Sequence, residues 1–172
     1  MFKKVLIIIV IVLVLLMLGL VGLIQMQPND FRVERSTTIN ASPAAVFPHV
    51  NDFRLWQQWS PWAELDPECE YTYAGPDAGT GAIFAWSGNS DVGEGRMTIL
   101  ESRPHEFIQI ELHFIRPFES TSTTEYTFEP AGDGTTVTWA MHGQHNFFTK
   151  AMCLIMDMDD MLGPDFERDW RV

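Results

Sequence analysis

The chain has 172 residues, of which 46% are hydrophobic, and its 11 basic and 23 acidic residues give a formal net charge of −12. That length suits one domain with a real core plus a short additional segment. The acidic balance repels phosphates, which excludes nucleic acid as a partner and makes an anionic membrane surface a poor one.

Residues 1–4 form a short basic N-terminus. Val5 to Ile24 then read "VLIIIVIVLVLLMLGLVGLI", with no charged or polar side chain. At about 1.5 Å per residue the run makes roughly 30 Å of helix, the thickness of a bilayer core. A cleavable signal peptide has a shorter apolar region followed by small residues in an A-x-A-like pattern. "GLIQMQP" offers no such site, so the run is expected to be an uncleaved transmembrane signal anchor. Lys3 and Lys4 precede it, while Arg32 and Arg35 follow, so the basic residues are nearly balanced. The two lysines tight against the span favour the N-terminus inside. In a bacterium that means a single-pass inner-membrane protein with a periplasmic domain.

Residues 25–30 are a linker. "FRVERSTTI" (Phe31 to Ile39) alternates in period two, as a strand does. "NASPAAVFPHVND" predicts a helix with Ser42 as N-cap, Pro43 at its first position, and Val46, Phe47 and Val50 as its apolar stripe. "WQQWSPW" (Trp56 to Trp62) follows, with half of the chain's 6 tryptophans. Trp56 and Trp59 share a face of one helical turn, and Pro61 disfavours helix at Ser60. Six runs then read as antiparallel strands: "CEYTYAG", "GAIFAWSGN", "GEGRMTILES", "EFIQIELHF", "STTEYTFEP" and "TTVTWAMHG". The Gly, Pro, Asn and Asp between them are turn residues. From Phe147 an amphipathic helix is expected, with Ala151, Leu154, Ile155, Met158, Met161 and Leu162 at helical spacing. The resulting class is α+β, a long antiparallel sheet under a C-terminal helix.

Little in these elements is catalytic. His142 and His145 flank "GQ", half of what a zinc site needs. Asp157, Asp159 and Asp160 read as a solvated helix face. No serine sits in a G-x-S-x-G elbow, and "GTG" and "GEG" fall in hairpin turns rather than in a phosphate loop. Cys69 and Cys153 form no CxxC and read as two thiols rather than a disulfide. Along "EFIQIELHF", Ile108, Ile110, Leu112 and Phe114 share one face. Gln109, Glu111 and His113 share the other, which is therefore the solvent side; Glu94 and Arg96, near a turn, are the exceptions. No metal or cofactor is expected, and nothing sets an oligomeric state.

The order "INASPAAVFPHVNDFRLWQQWSPW", "GEGRMTILESRP", "FEPAGDGTTVTW" and "GPDFE" resembles the START-like superfamily, in its polyketide cyclase/dehydrase-like branch, SRPBCC. The resemblance covers Phe31 to Glu167 and implies a helix-grip fold over residues 31–172. In that fold about seven curved antiparallel strands wrap a long C-terminal helix around a cavity for lipids, polyketides or other apolar molecules. Relatives usually continue "DFE" into a longer helix. Here "DFERDWRV" ends the chain, so a shorter gripping helix is expected.

In that fold Trp56, Trp59 and Trp62 fall at a cavity mouth, and the resemblance adds Phe84, Trp86, Met97, Trp139, Leu154 and Met158 as cavity residues. Ordinary core, cavity wall and membrane contact all remain open for the tryptophans, with a mixed core-and-cavity cluster expected. The leading function is a membrane-anchored module that binds or transfers an apolar small molecule or lipid. The alternatives are a cyclase- or hydrolase-type enzyme with a cavity acid/base, and an envelope interaction module without ligand.

Overall fold

A computed structural model describes residues 2–145 and 147–155. It opens with helix α1 (Phe2–Gln25), which is long and apolar enough to cross a membrane. Among the described residues, Ile24 at the end of α1 is the one buried residue of the helix, and α1 contacts α3 (Phe147–Met152). Strand β1 (Asp30–Ile39) leads into α2 (Pro43–Asn51), and two 3-10 turns follow, Phe53–Gln58 and Pro61–Glu64. Strands β2 (Glu70–Ala74), β3 (Ile83–Ser87), β4 (Glu94–Arg103), β5 (Phe107–Arg116), β6 (Ser120–Ala131) and β7 (Gly134–Gln144) complete a seven-stranded antiparallel sheet. Its order is β1-β7-β6-β5-β4-β3-β2. The chain thus leaves β1 at one edge and crosses under the sheet through α2 and the 3-10 turns. It then returns hairpin by hairpin from the far edge to lie beside β1.

Each expected strand forms, because a sheet with one packed face imposes clean alternation on its sequence. Ile108 and Ile110 of β5 are fully buried, as are Tyr126 of β6 and Val137 of β7. Register places Val33 opposite Met141, Tyr126 opposite Trp139, and Phe84 opposite Met97 on this inner face. Phe47 of α2 packs its ring 5.3 Å from that of Phe128, and the Thr135 hydroxyl donates to the Ala41 carbonyl at 2.6 Å. β4 carries irregularities between Glu94 and Gly95 and between Ile99 and Glu101. Bulges of this kind bend a strand and increase its twist, which is how the sheet curves.

Three local expectations change. Ser42 precedes α2, but its side chain makes no capping bond; its carbonyl instead accepts from Ala45 N at 2.9 Å, behind Pro43. "GEG" is split: Gly93 makes the turn with φ +66°, whereas Gly95 lies within β4. The helix begun at Phe147 runs to Met152 and tightens into a turn through Ile155, leaving Leu154 and Ile155 exposed rather than on an apolar stripe. Met158, Met161, Leu162, the three aspartates and "DFERDWRV" lie outside the described residues.

Candidate functional site: an aromatic cavity between the sheet and the 3-10 turns

The tryptophan spacing of three is the periodicity of a 3-10 turn, in which side chains at i and i+3 eclipse. Trp56 and Trp59 pack with ring centroids 4.9 Å apart and their planes tilted by 51°. Their indole N–H groups both reach back to α2: Trp56 donates to the Val50 carbonyl and Trp59 to the His49 carbonyl, each at 3.0 Å. The last carbonyls of a helix have no intrahelical partner, so these two indoles satisfy α2 and pin the 3-10 turn beneath it. Asp52 helps by accepting from Arg54 N at 2.9 Å.

Trp56 lies between this staple and a cavity of about 180 Å³. Trp62, Phe84, Trp86, Met97 and Trp139 also line that space. The geometry therefore brings together six of the nine expected residues. Trp59 packs behind Trp56, off the cavity wall, and Leu154 is exposed. Sequence reasoning missed Thr124 and Tyr126, which sit on the inner face of β6 between Ser122 and Phe128. Strict alternation from the buried Phe128 identifies both. Gln57, Ser60, Cys69 and Asp91 also reach the lining, from turns whose placement no periodicity encodes.

Two of the lining indoles have their ring N–H already bonded, so they present apolar faces to the space. Trp139 donates its ring N–H to the Thr124 hydroxyl at 2.8 Å, and Trp86 donates its own to the Val92 carbonyl at 3.0 Å. Tyr126 stacks on Trp139 at 5.4 Å with an interplanar angle of 14°. Trp62 meets the edge of Trp139 at 6.1 Å. Asp91, at the exposed lip, is the one acidic or basic residue among the described lining residues. Burial, reinforced by the neighbouring Cys69, pushes the Tyr71 hydroxyl above its usual range.

The titratable groups considered for catalysis lie on the outer face, away from this space. His113 Nδ1 is 2.9 Å from the Thr121 hydroxyl, and Glu94 accepts from Arg116 Nε at 2.6 Å. His142 and His145 do not converge: His142 Nε2 is 3.4 Å from Glu125, whereas the ring of His145 lies 5.2 Å from that of Phe31. Burial opposes ionisation of Glu125, but hydrogen bonds from Gln109 and His142, the charge of His142, and Arg32 outweigh it and hold the carboxyl below its ordinary 4.5. A depressed carboxylate stabilises the fold above its unfolded pKa, and that contribution is lost as pH falls through the folded value. The wild-type chain should therefore lose more stability below about pH 4.5 than Glu125→Gln does, measured as thermal midpoint against pH; parallel curves would remove the pairing as a source of stability.

A model of the family described as polyketide cyclase/dehydrase and lipid transport matches residues 30–159, and the chain belongs to this family. Its fold recurs in solved structures. Protein CV1439 of Chromobacterium violaceum superposes with a TM-score of 0.54 at 18% identity, covering 83% of this chain and 94% of that one. Protein MLL2253 of Mesorhizobium loti gives 0.57 at 16% identity, over 80% and 93%. Major latex-like protein 151 of Panax ginseng gives 0.50 at 10% identity, over 73% and 94%. At these identities the likeness is one of fold. No curated protein is detectably similar to this chain in sequence.

Proposed function

We propose that the chain is a membrane-anchored binding or transfer module for an uncharged apolar molecule, held between the sheet and the 3-10 turns. The observation that carries this reading is the lining: aromatic faces, with the indole N–H groups of Trp56, Trp86 and Trp139 already bonded, and no basic side chain among the described lining residues to meet a carboxylate or phosphate. A few polar groups in a mostly apolar pocket is the usual composition of a small-molecule site. Size narrows the class. An apolar cavity of roughly 150 Å³ accepts benzene, so about 180 Å³ suits one ring or the end of a hydrocarbon chain rather than a whole lipid.

Retention of α1 as an anchor is supported by its end. Ile24 is 5% exposed and packs toward α3, a contact with the domain that a removed leader would not need. The test is native mass spectrometry of the full chain released from detergent. An added mass lost on denaturation is expected, and Trp62→Ala should weaken it about tenfold, a change of 1.4 kcal/mol, while melting within a few degrees of wild type. A folded chain with a clean apo mass would count against a tight binder.

A further inference from the structure

Part of the exposed lining of the cavity lies at the same end of the sheet as the anchor. β1 starts at Asp30, only four residues after α1 ends. Strand register carries that end across the sheet: Asp30 opposite Gln144, Phe31 opposite Gly143, Gly143 opposite Ser122, Ser120 opposite Phe114, Phe114 opposite Gly95, Gly95 opposite Trp86, and Trp86 opposite Tyr71. The other end carries Ile39, the β6–β7 turn at Gly132 and Asp133, and the β4–β5 turn. Cys69 just before β2, and Asp91 and Val92 in the β3–β4 connection, bring solvent-reaching lining to the anchor end, while Gln57 reaches solvent from the first 3-10 turn.

Exposed apolar side chains favour the anchor end. Among the described residues of the sheet and its connections, Leu65, Ile115 and Phe118 are 46%, 45% and 58% exposed. Leu65 is held beside the β3–β4 connection, its carbonyl accepting from Asn89 Nδ2 at 3.4 Å. Phe118 lies in the β5–β6 connection, and Ile115, near the end of β5, follows Phe114 of the lining on the opposite face of the strand. Among the described residues of the strands and the connections between them, Leu100, at the second β4 irregularity, is the one comparably exposed away from this end. Four residues of extended chain span on the order of 15 Å, and Met26 N and Gln27 N still bond back to α1, which shortens the reach further. A bilayer crossed by α1 therefore lies within reach of this end of the sheet.

We infer that the rim formed by Leu65, Ile115 and Phe118 rests on the bilayer that α1 crosses, so that the ligand passes between membrane and cavity without entering bulk water. This deepens the proposed function and rests on its reading of α1 as an anchor. The occupant is a neutral, zwitterionic surface. Asp30, Glu68, Glu70, Asp91 and Glu119 are exposed at this end, and Arg116 is engaged by Glu94, so an anionic surface would be repelled.

The test uses the full chain in phosphatidylcholine vesicles, with a nitroxide label at Leu65→Cys, Phe118→Cys or Asp133→Cys in a Cys69→Ser, Cys153→Ser background. Collision with oxygen is compared with collision with a water-soluble nickel chelate. Labels at 65 and 118 should favour oxygen several-fold over the label at 133, on the far turn. Nickel access at 65 and 118 equal to that at 133 would overturn the inference, even if the native-mass experiment finds a ligand. Loss of the chain from vesicles on a carbonate wash would overturn the anchor reading and the inference with it, leaving the cavity reading standing. Two rim positions keep the test decisive if one labelled variant fails to fold.

Discussion

Trp56→Ala should lower folding stability by about 3–5 kcal/mol, the range for deleting a buried tryptophan. That is a large share of the 5–15 kcal/mol by which domains are typically stable. Two losses combine. The indole is 5% exposed and touches Phe53 at 5.3 Å, Trp59 at 4.9 Å and Tyr126 at 6.2 Å, so its removal opens a hole between the 3-10 turn and the sheet. Its N–H also satisfies the Val50 carbonyl, and a buried acceptor left without a donor costs about 1–3 kcal/mol. Trp56→Phe separates the two, since it keeps much of the volume and removes the bond; about half the effect should remain. Urea denaturation of the full chain in mild detergent, followed by far-ultraviolet circular dichroism, reads both variants. A change under about 1 kcal/mol for Trp56→Ala would mean that α2 and the 3-10 turn are not held by this residue.

The staple also shows where the sequence was legible and where it was not. Strand boundaries read from alternation match those observed to within a few residues, because one face of an antiparallel sheet is buried along its whole length and the pattern is local. Trp56, Trp59 and Trp62 stood out by type and spacing, but a spacing of three fits one turn of α-helix as well as a 3-10 turn, and only Pro61 hinted at the break. What the indole N–H groups bond depends on where α2 ends, a tertiary fact. The same limit applies to Leu154, which has helical spacing yet is exposed, because the apolar stripe there meets a turn through Ile155. Alternation places Thr124 and Tyr126 on the inner face of β6, but threonine and tyrosine do not by type mark a cavity wall. Asp91 and Cys69 come to the cavity lip through hairpin and turn geometry, which residue types alone do not specify.

Gly95→Ala should cost about 1–3 kcal/mol and weaken ligand binding, although it adds one methyl group to a strand that favours side chains. A Cβ built at Gly95 falls 2.5 Å from two atoms of the Trp86 ring and 2.8 Å from the His113 carbonyl oxygen. Neither neighbour yields easily. The carbonyl belongs to the backbone of β5, and the indole is fixed by its bond to the Val92 carbonyl at 3.0 Å and by stacking on Phe84 at 5.9 Å. The missing side chain is thus what lets Trp86 lie flat across β4 and form a wall of the cavity. With a methyl group there, the indole must leave its seat and change the shape of the space it lines. Trp86→Phe removes the part of the ring that collides while leaving the strand contact. The double variant Gly95→Ala, Trp86→Phe should therefore be more stable than the sum of the single variants predicts, by the 0.5–3 kcal/mol typical of touching residues. Recovery should be partial, since the His113 oxygen is unchanged. Strict additivity of the two substitutions in urea denaturation would show that Gly95 does not seat Trp86, and that the cavity wall is set elsewhere on the sheet.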